Sequence, residues 1–221
     1  MESASKRFFI PYVGEEYTTG IKGKRVLILG ASFYCNTRDC KYFKDCTSPE
    51  KKDSSPYNSI CPPYKKENAV LNKEPEYAID DHLFYRVYTN FAKGLQDFVE
   101  VDVDVWQRLA FTNYVQFFVP TVKTYDSYLS ERDFEAFLET VRELQPDVII
   151  AWGTVINKAL RHNRFFIDKE ELTDPDWYIW HLGGIPGIKH NITVVNCYHP
   201  SSSAWHQDIE SFKEYLKQVF A

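Results

Sequence analysis

Arg25-Val26-Leu27-Ile28-Leu29-Gly30 decides how this chain folds. Four aliphatic side chains follow one another with no polar alternation, so both faces of the segment must be covered. Strands of that kind belong to parallel sheets packed between helices. Three more segments share the character: residues 109–117 (LAFTNYVQF), 147–153 (DVIIAWG) and 192–197 (ITVVNC). Helical patterns separate them. Leu83, Val87, Phe91, Leu95 and Phe98 recur at helical spacing, and Ser130 with Asp133 reads as a capping box ahead of Phe134, Phe137, Leu138 and Val141. Thr154 caps a short helix running to about Leu160, and Ile209, Phe212, Leu216 and Val219 form one stripe of a last helix over residues 207–219. The alternation predicts a single α/β domain over residues 1–221. Its expected form is three layers, α/β/α, around a four-stranded parallel sheet with right-handed crossovers.

Composition narrows the classes. The chain has 221 residues, 44% of them apolar, with 16 Phe, 15 Tyr and 5 Trp. That content excludes a disordered chain, and a chain of this size buries about 70% of its surface without a covalent staple. No apolar run approaches the length of a membrane span, and no signal-type segment follows the polar start, so a cytoplasmic protein with no membrane partner is expected. The formal charge is −5, from 26 basic and 31 acidic residues. Bulk charge therefore does not attract nucleic acid. The charge is divided, however. Residues 36–66 hold seven basic side chains against four acidic ones, a net of +3 that leaves −8 for the rest. This basic, cysteine-bearing insertion, about residues 36–75, is either a solvated loop or a phosphate-facing lobe. A second long stretch, residues 163–190, carries Trp177, Trp180 and Gly183-Gly184 and also interrupts the alternation.

In an open parallel sheet, ligands bind beyond the carboxyl ends of the strands. Four polar sequences stand there: Gly30-Ala31-Ser32-Phe33-Tyr34-Cys35, Thr112-Asn113-Tyr114, Trp152-Gly153-Thr154 and His199-Pro200-Ser201-Ser202-Ser203. Each alone has a plain structural explanation as a turn, a satisfied core amide or a helix cap. The fold predicts that they meet at one edge.

The order of these strand ends resembles the uracil-DNA glycosylase superfamily. There the first strand runs into a G-Q-D-P-Y-H or G-E-A-P-G type loop and the second ends on an Asn that reads the base. The third ends in W-G or L-G, and the fourth enters an H-P-S loop. The counterparts are Gly30 to Cys35, Thr112-Asn113, Trp152-Gly153 and His199-Pro200-Ser201. They span roughly residues 25–216, carried by about 15 positions.

The resemblance implies a DNA-repair hydrolase that removes uracil or another deaminated base by cleaving its N-glycosidic bond. The implied partner is single- or double-stranded DNA with a flipped base. Such an enzyme requires no cofactor and is expected to act as a monomer. Asn113 would read the imide edge, since a carboxamide offers a donor and an acceptor together. His199 would stabilise the charge that develops on the departing base. Gly30, Ala31, Phe33 and Tyr34 would wall the pocket, Ser32 would help to place water, and the backbone amides of the Ser201–Ser203 turn, with Ser201 and Ser202 as its site residues, would hold a phosphate. Trp205 lies where the family places an intercalating wedge, with packing against the last helix as the alternative. One departure matters: many members carry an acid in the first loop, where this chain has Ala31 and Ser32. A glycosylase-fold module that binds nucleic acid or nucleotides without turnover is therefore the second expectation. A hydrolase using Cys35 as nucleophile is a third.

Cys35, Cys40, Cys46 and Cys61 fall at spacings of C-x4-C-x5-C-x14-C. A zinc ribbon needs two close pairs, and the iron–sulfur members of the superfamily spread their cysteines differently. A structural metal (zinc or iron–sulfur), a set of reduced thiols and an internal disulfide all remain open for the four. Cys197 reads as a small buried residue.

Overall fold

A computed structural model describes residues 5–34, 73–80, 86–116, 131–161, 165 and 179–221. Cys35, Cys40, Cys46 and Cys61, nearly all of the basic insertion, Leu83, Phe117, Ser130 and Trp177 lie outside the described residues.

The chain is of the α/β class. Its strands are β1 (Tyr12–Val13), β2 (Val26–Gly30), β3 (Leu109–Asn113), β4 (Val148–Trp152), β5 (Ile179–Leu182) and β6 (Ile192–Cys197). They form one sheet in the order β1-β3-β2-β4-β6-β5. The four expected strands are the central ones and run parallel. The sheet nevertheless has six strands, not four, because β1 and β5 add antiparallel edges. β5 alternates half-buried and buried residues, as an edge with one covered face does, whereas β2, β3 and β4 are buried at every position.

The helices among the described residues are α1 (Glu74–Asp80), α2 (Arg86–Leu95), α3 (Glu131–Leu144), α4 (Thr154–Arg161) and α5 (Ser203–Val219). They cover both faces of the sheet. On one face, Phe91 and Leu95 of α2 and Trp205, Phe212 and Leu216 of α5 pack on Ile28, Phe111, Ile150 and Val195. On the other, Phe137, Leu138 and Val141 of α3 and Ile156 and Leu160 of α4 pack on Leu27, Leu29, Ile149 and Val194. The last helix begins at Ser203, earlier than its apolar stripe indicates, because the Ser202 hydroxyl caps it by accepting from the Trp205 amide at 3.2 Å. No helix among the described residues is long and apolar enough to cross a membrane.

Candidate functional site

The strand ends do meet. A cavity of about 620 Å³ opens at the carboxyl edge of the parallel strands, lined by Gly30 to Tyr34, Asn113, Trp152 to Val155 and His199. Helices α1 and α2 complete it with Tyr77, Ala78, Val87 and Tyr88, and Phe111 forms part of its floor.

Each polar group is placed by backbone geometry. β2 and β3 stay in register to their ends, Gly30 opposite Asn113. The pairing then continues into the loops, where Tyr114 N–H donates to Gly30 O at 2.8 Å and Val115 N–H to Ala31 O at 3.0 Å. Gly30 is required here, because a Cβ would run into the Asn113 carboxamide oxygen. Asn113 is 4% exposed, and no described group hydrogen-bonds its carboxamide. An amide so enclosed needs partners, and the cavity is where a ligand could supply them. Gly153 takes φ +89° between β4 and α4, and its amide donates to Cys197 O at 2.7 Å, which ties the ends of β4 and β6 together.

His199 leaves β6 against the indole of Trp152, edge to face at 5.7 Å. Its Nδ1 lies 2.7 Å from Ser201 Oγ and accepts from the Ser201 amide at 3.3 Å. An amide N–H can only donate, so in the neutral ring the hydrogen sits on Nε2. Burial of the ring holds its pKa below the ordinary histidine value, which favours that neutral form. The loop is clamped from α2 by Asn90 Nδ2, which donates to Pro200 O at 3.3 Å.

Aromatic rings make up much of the remaining wall. Tyr88 stacks obliquely on Trp152 at 5.9 Å and meets Phe111 edge-on at 5.4 Å. Phe33 packs between Phe111 at 6.3 Å and Phe9 at 5.0 Å. The described lining carries no lysine, arginine, aspartate or glutamate. The arrangement suits a flat, uncharged heterocycle held between rings and read at its edge.

Two expected roles change. Trp205 is 0% exposed and lies against Phe91 at 5.7 Å and Phe212 at 5.1 Å. Its ring fills the space beside Gly94, so it is a core residue and not a wedge. The phosphate role of Ser201 and Ser202 also fails in the form expected. The Ser201 amide is spent on His199 Nδ1, and the Ser202 amide donates to His199 O at 2.8 Å. Both serines instead hold the histidine loop in shape. Gly30, Ala31, Ser32, Phe33, Tyr34, Asn113 and His199 are brought together. The cysteine ligand set lies outside the described residues, and among those described no group of three metal-ligating side chains occurs.

Tyr77, Tyr88, Asn90 and Gln116 had no motif to mark them. Pro75 in the first turn of α1 was a usable helix-start signal for the element that carries Tyr77. No family model and no curated protein matches the chain.

Proposed function

We infer that the protein is a uracil-DNA-glycosylase-like N-glycosylase that removes uracil or another deaminated base from DNA. What supports this reading above all is the Asn113 carboxamide, which no described group hydrogen-bonds, on the same cavity as a His199 whose neutral form is favoured. A flipped base would lie between Phe33, Tyr34 and the Trp152–Tyr88 wall. Asn113 would donate to O4 and accept from N3–H. The C1′–N1 bond breaks with its electron pair passing to the base, and the charge that builds at O2 is met by His199 Nε2–H. Water adds its oxygen to C1′ and releases a proton to solvent. Ser32 positions that water but is too weak a base to take its proton. The barrier therefore falls through stabilisation of the leaving base.

Abasic-site formation on a uracil-containing single-stranded oligonucleotide tests the assignment. His199→Ala and Asn113→Ala are each expected to lower the rate by about 100-fold or more. Equal rates in all three proteins would overturn it.

Ser32 at the position where many relatives of this type carry an acid favours a second reading, a module that binds a base or nucleotide and does not cleave. Salt-dependent binding of the same oligonucleotide, with every deaminated base left intact, would select it.

A further inference from the structure

Gln116 has no part in the sequence motifs, yet its buried side chain joins three parts of the molecule. It is 2% exposed. Its Nε2 donates to the backbone carbonyl of Asn113 at 2.7 Å. Its Oε1 accepts from the amides of Phe8 and Phe9, both at 3.1 Å. Its own amide donates to Asp133 Oδ1 of α3 at 2.9 Å. Both lone pairs of the side-chain oxygen are therefore used, and the carbonyl of Asn113 is committed away from the cavity.

The segment that Gln116 holds is anchored beyond it as well. Ser5 Oγ donates to Glu139 at 2.6 Å, the Lys6 amide donates to the same carboxylate at 2.9 Å, and Arg7 pairs with Glu143. Phe9, 1% exposed, then supports Phe33 edge-on at 5.0 Å, and Phe33 faces the cavity. One carboxamide thus links the backbone of the edge-reading residue to the ring that backs the pocket wall. A buried amide with its side-chain acceptor saturated moves little, because each displacement breaks bonds that no water replaces.

We propose that Gln116 is the positioning residue of this site, and that residues 5–9 belong to the site as the strut behind Phe33. It sets the azimuth of Asn113 and the spacing between Asn113 and the aromatic wall. The proposal rests on Asn113 facing a base, as in the reading above, but its mechanical half stands without any ligand.

The test uses the full chain labelled with 15N. The side-chain amide pair of Asn113 is assigned by its loss in Asn113→Ala. Binding of free uracil and of N3-methyluracil is measured by calorimetry. Gln116→Met keeps the shape and removes both side-chain links. It is expected to shift or broaden the Asn113 pair and to lower the preference for uracil by about tenfold, the equivalent of one well-made hydrogen bond. Gln116→Glu keeps the acceptor and loses the amide donor, and it carries the test if Gln116→Met does not fold. Val219→Ala, a core truncation at the last residue of α5, is expected to lower stability and leave both readouts at their original values.

The positioning role is overturned if both Gln116 variants leave the Asn113 pair and the preference unchanged, or if Val219→Ala moves them as far. A moved pair in a protein that never distinguished the two ligands would uphold the coupling and remove the base reading instead.

Discussion

The two ends of the parallel strands are built on opposite rules. At the amino end Arg25, Asp147 and His190 answer one another. Asp147 accepts from the Arg25 amide at 2.8 Å and from Arg25 Nε at 3.1 Å, and its own amide donates to Arg25 O at 2.9 Å. His190 Nε2 lies 3.0 Å from Pro146 O and 3.5 Å from Asp147. Partial burial pushes the Asp147 carboxyl up. The hydrogen bonds from Arg25 and the charges of Arg25 and His190 outweigh it and leave the pKa lowered. At the carboxyl end, Asn113 and the Nε2 side of His199 stand at an open cavity with rings around them. Buried polar groups are normally paired within the protein. The Arg25–Asp147 pair holds strands together, whereas no described group hydrogen-bonds the Asn113 carboxamide, which faces the cavity.

Substitutions can break that contrast at graded strength. The largest effect is expected away from both ends, at Trp205. Replacement by alanine empties a full indole from the core and should cost about 3–5 kcal/mol in urea denaturation. A wedge would instead have given normal stability and weak duplex binding. Next comes Asn113→Ala at the carboxyl end. Base release is expected to fall about 100-fold, equivalent to about 2.7 kcal/mol, while the denaturation midpoint stays or rises because a buried amide that no described group hydrogen-bonds is gone. A large loss of stability in that variant would mean that Asn113 is structural like its counterparts at the other end. Asp147→Ala should do the reverse, costing about 2 kcal/mol of stability with base release unchanged in the remaining folded protein.

The smallest effects are those of pH, and the two ends should respond with separate windows. The lowered pKa of Asp147 contributes stability above its unfolded value near 4, and that stability is lost as pH falls through the folded value. The lowered pKa of His199 leaves its ring more than half neutral at pH 6.5, where an ordinary histidine is half protonated. Above that value neither folded nor unfolded ring is charged and no stability depends on it. As pH falls below it, the unfolded chain binds the proton first and stability drops. The midpoint of the decline in base release on the acid side should accordingly lie below pH 6.5. A midpoint at or above 6.5 in the rate profile would show that the ring is not held neutral.

The central strands were legible because burial on both faces leaves continuous aliphatic runs, as in Val26 to Leu29 and Val148 to Ala151. The edge strands were not. Tyr12–Val13 is two residues long, and residues 179–182 read Ile-Trp-His-Leu, too short to separate from an aromatic loop. β3 was expected to reach residue 117 and stops at Asn113, where the Gln116 side chain takes its carbonyl and turns the chain. The site followed the same division. Residues on strand ends were readable because topology dictates where those ends lie. Tyr77 and Tyr88 were hidden because their placement depends on how α1 and α2 pack. Ser201 and Ser202 were read as offering their amides to a ligand, although the amides of a tight turn are first claimed by local acceptors, here Nδ1 and the carbonyl of His199. Trp205 was displaced from its expected role by the simple volume of an indole beside Gly94.

The two-residue edge strand has a meaning for the protein at high concentration. A sheet grows into fibres by adding strands to an edge, and the newcomer needs a run of backbone groups to zip along. β1 supplies about 7 Å of such a run at ordinary strand rise. Val13 within it and Ile10 beside it stand 45% and 55% exposed, sticky enough to begin a contact. The brevity of the strand, more than its chemistry, guards that side against self-assembly. Any redesign that lengthens β1 would exchange solubility for order.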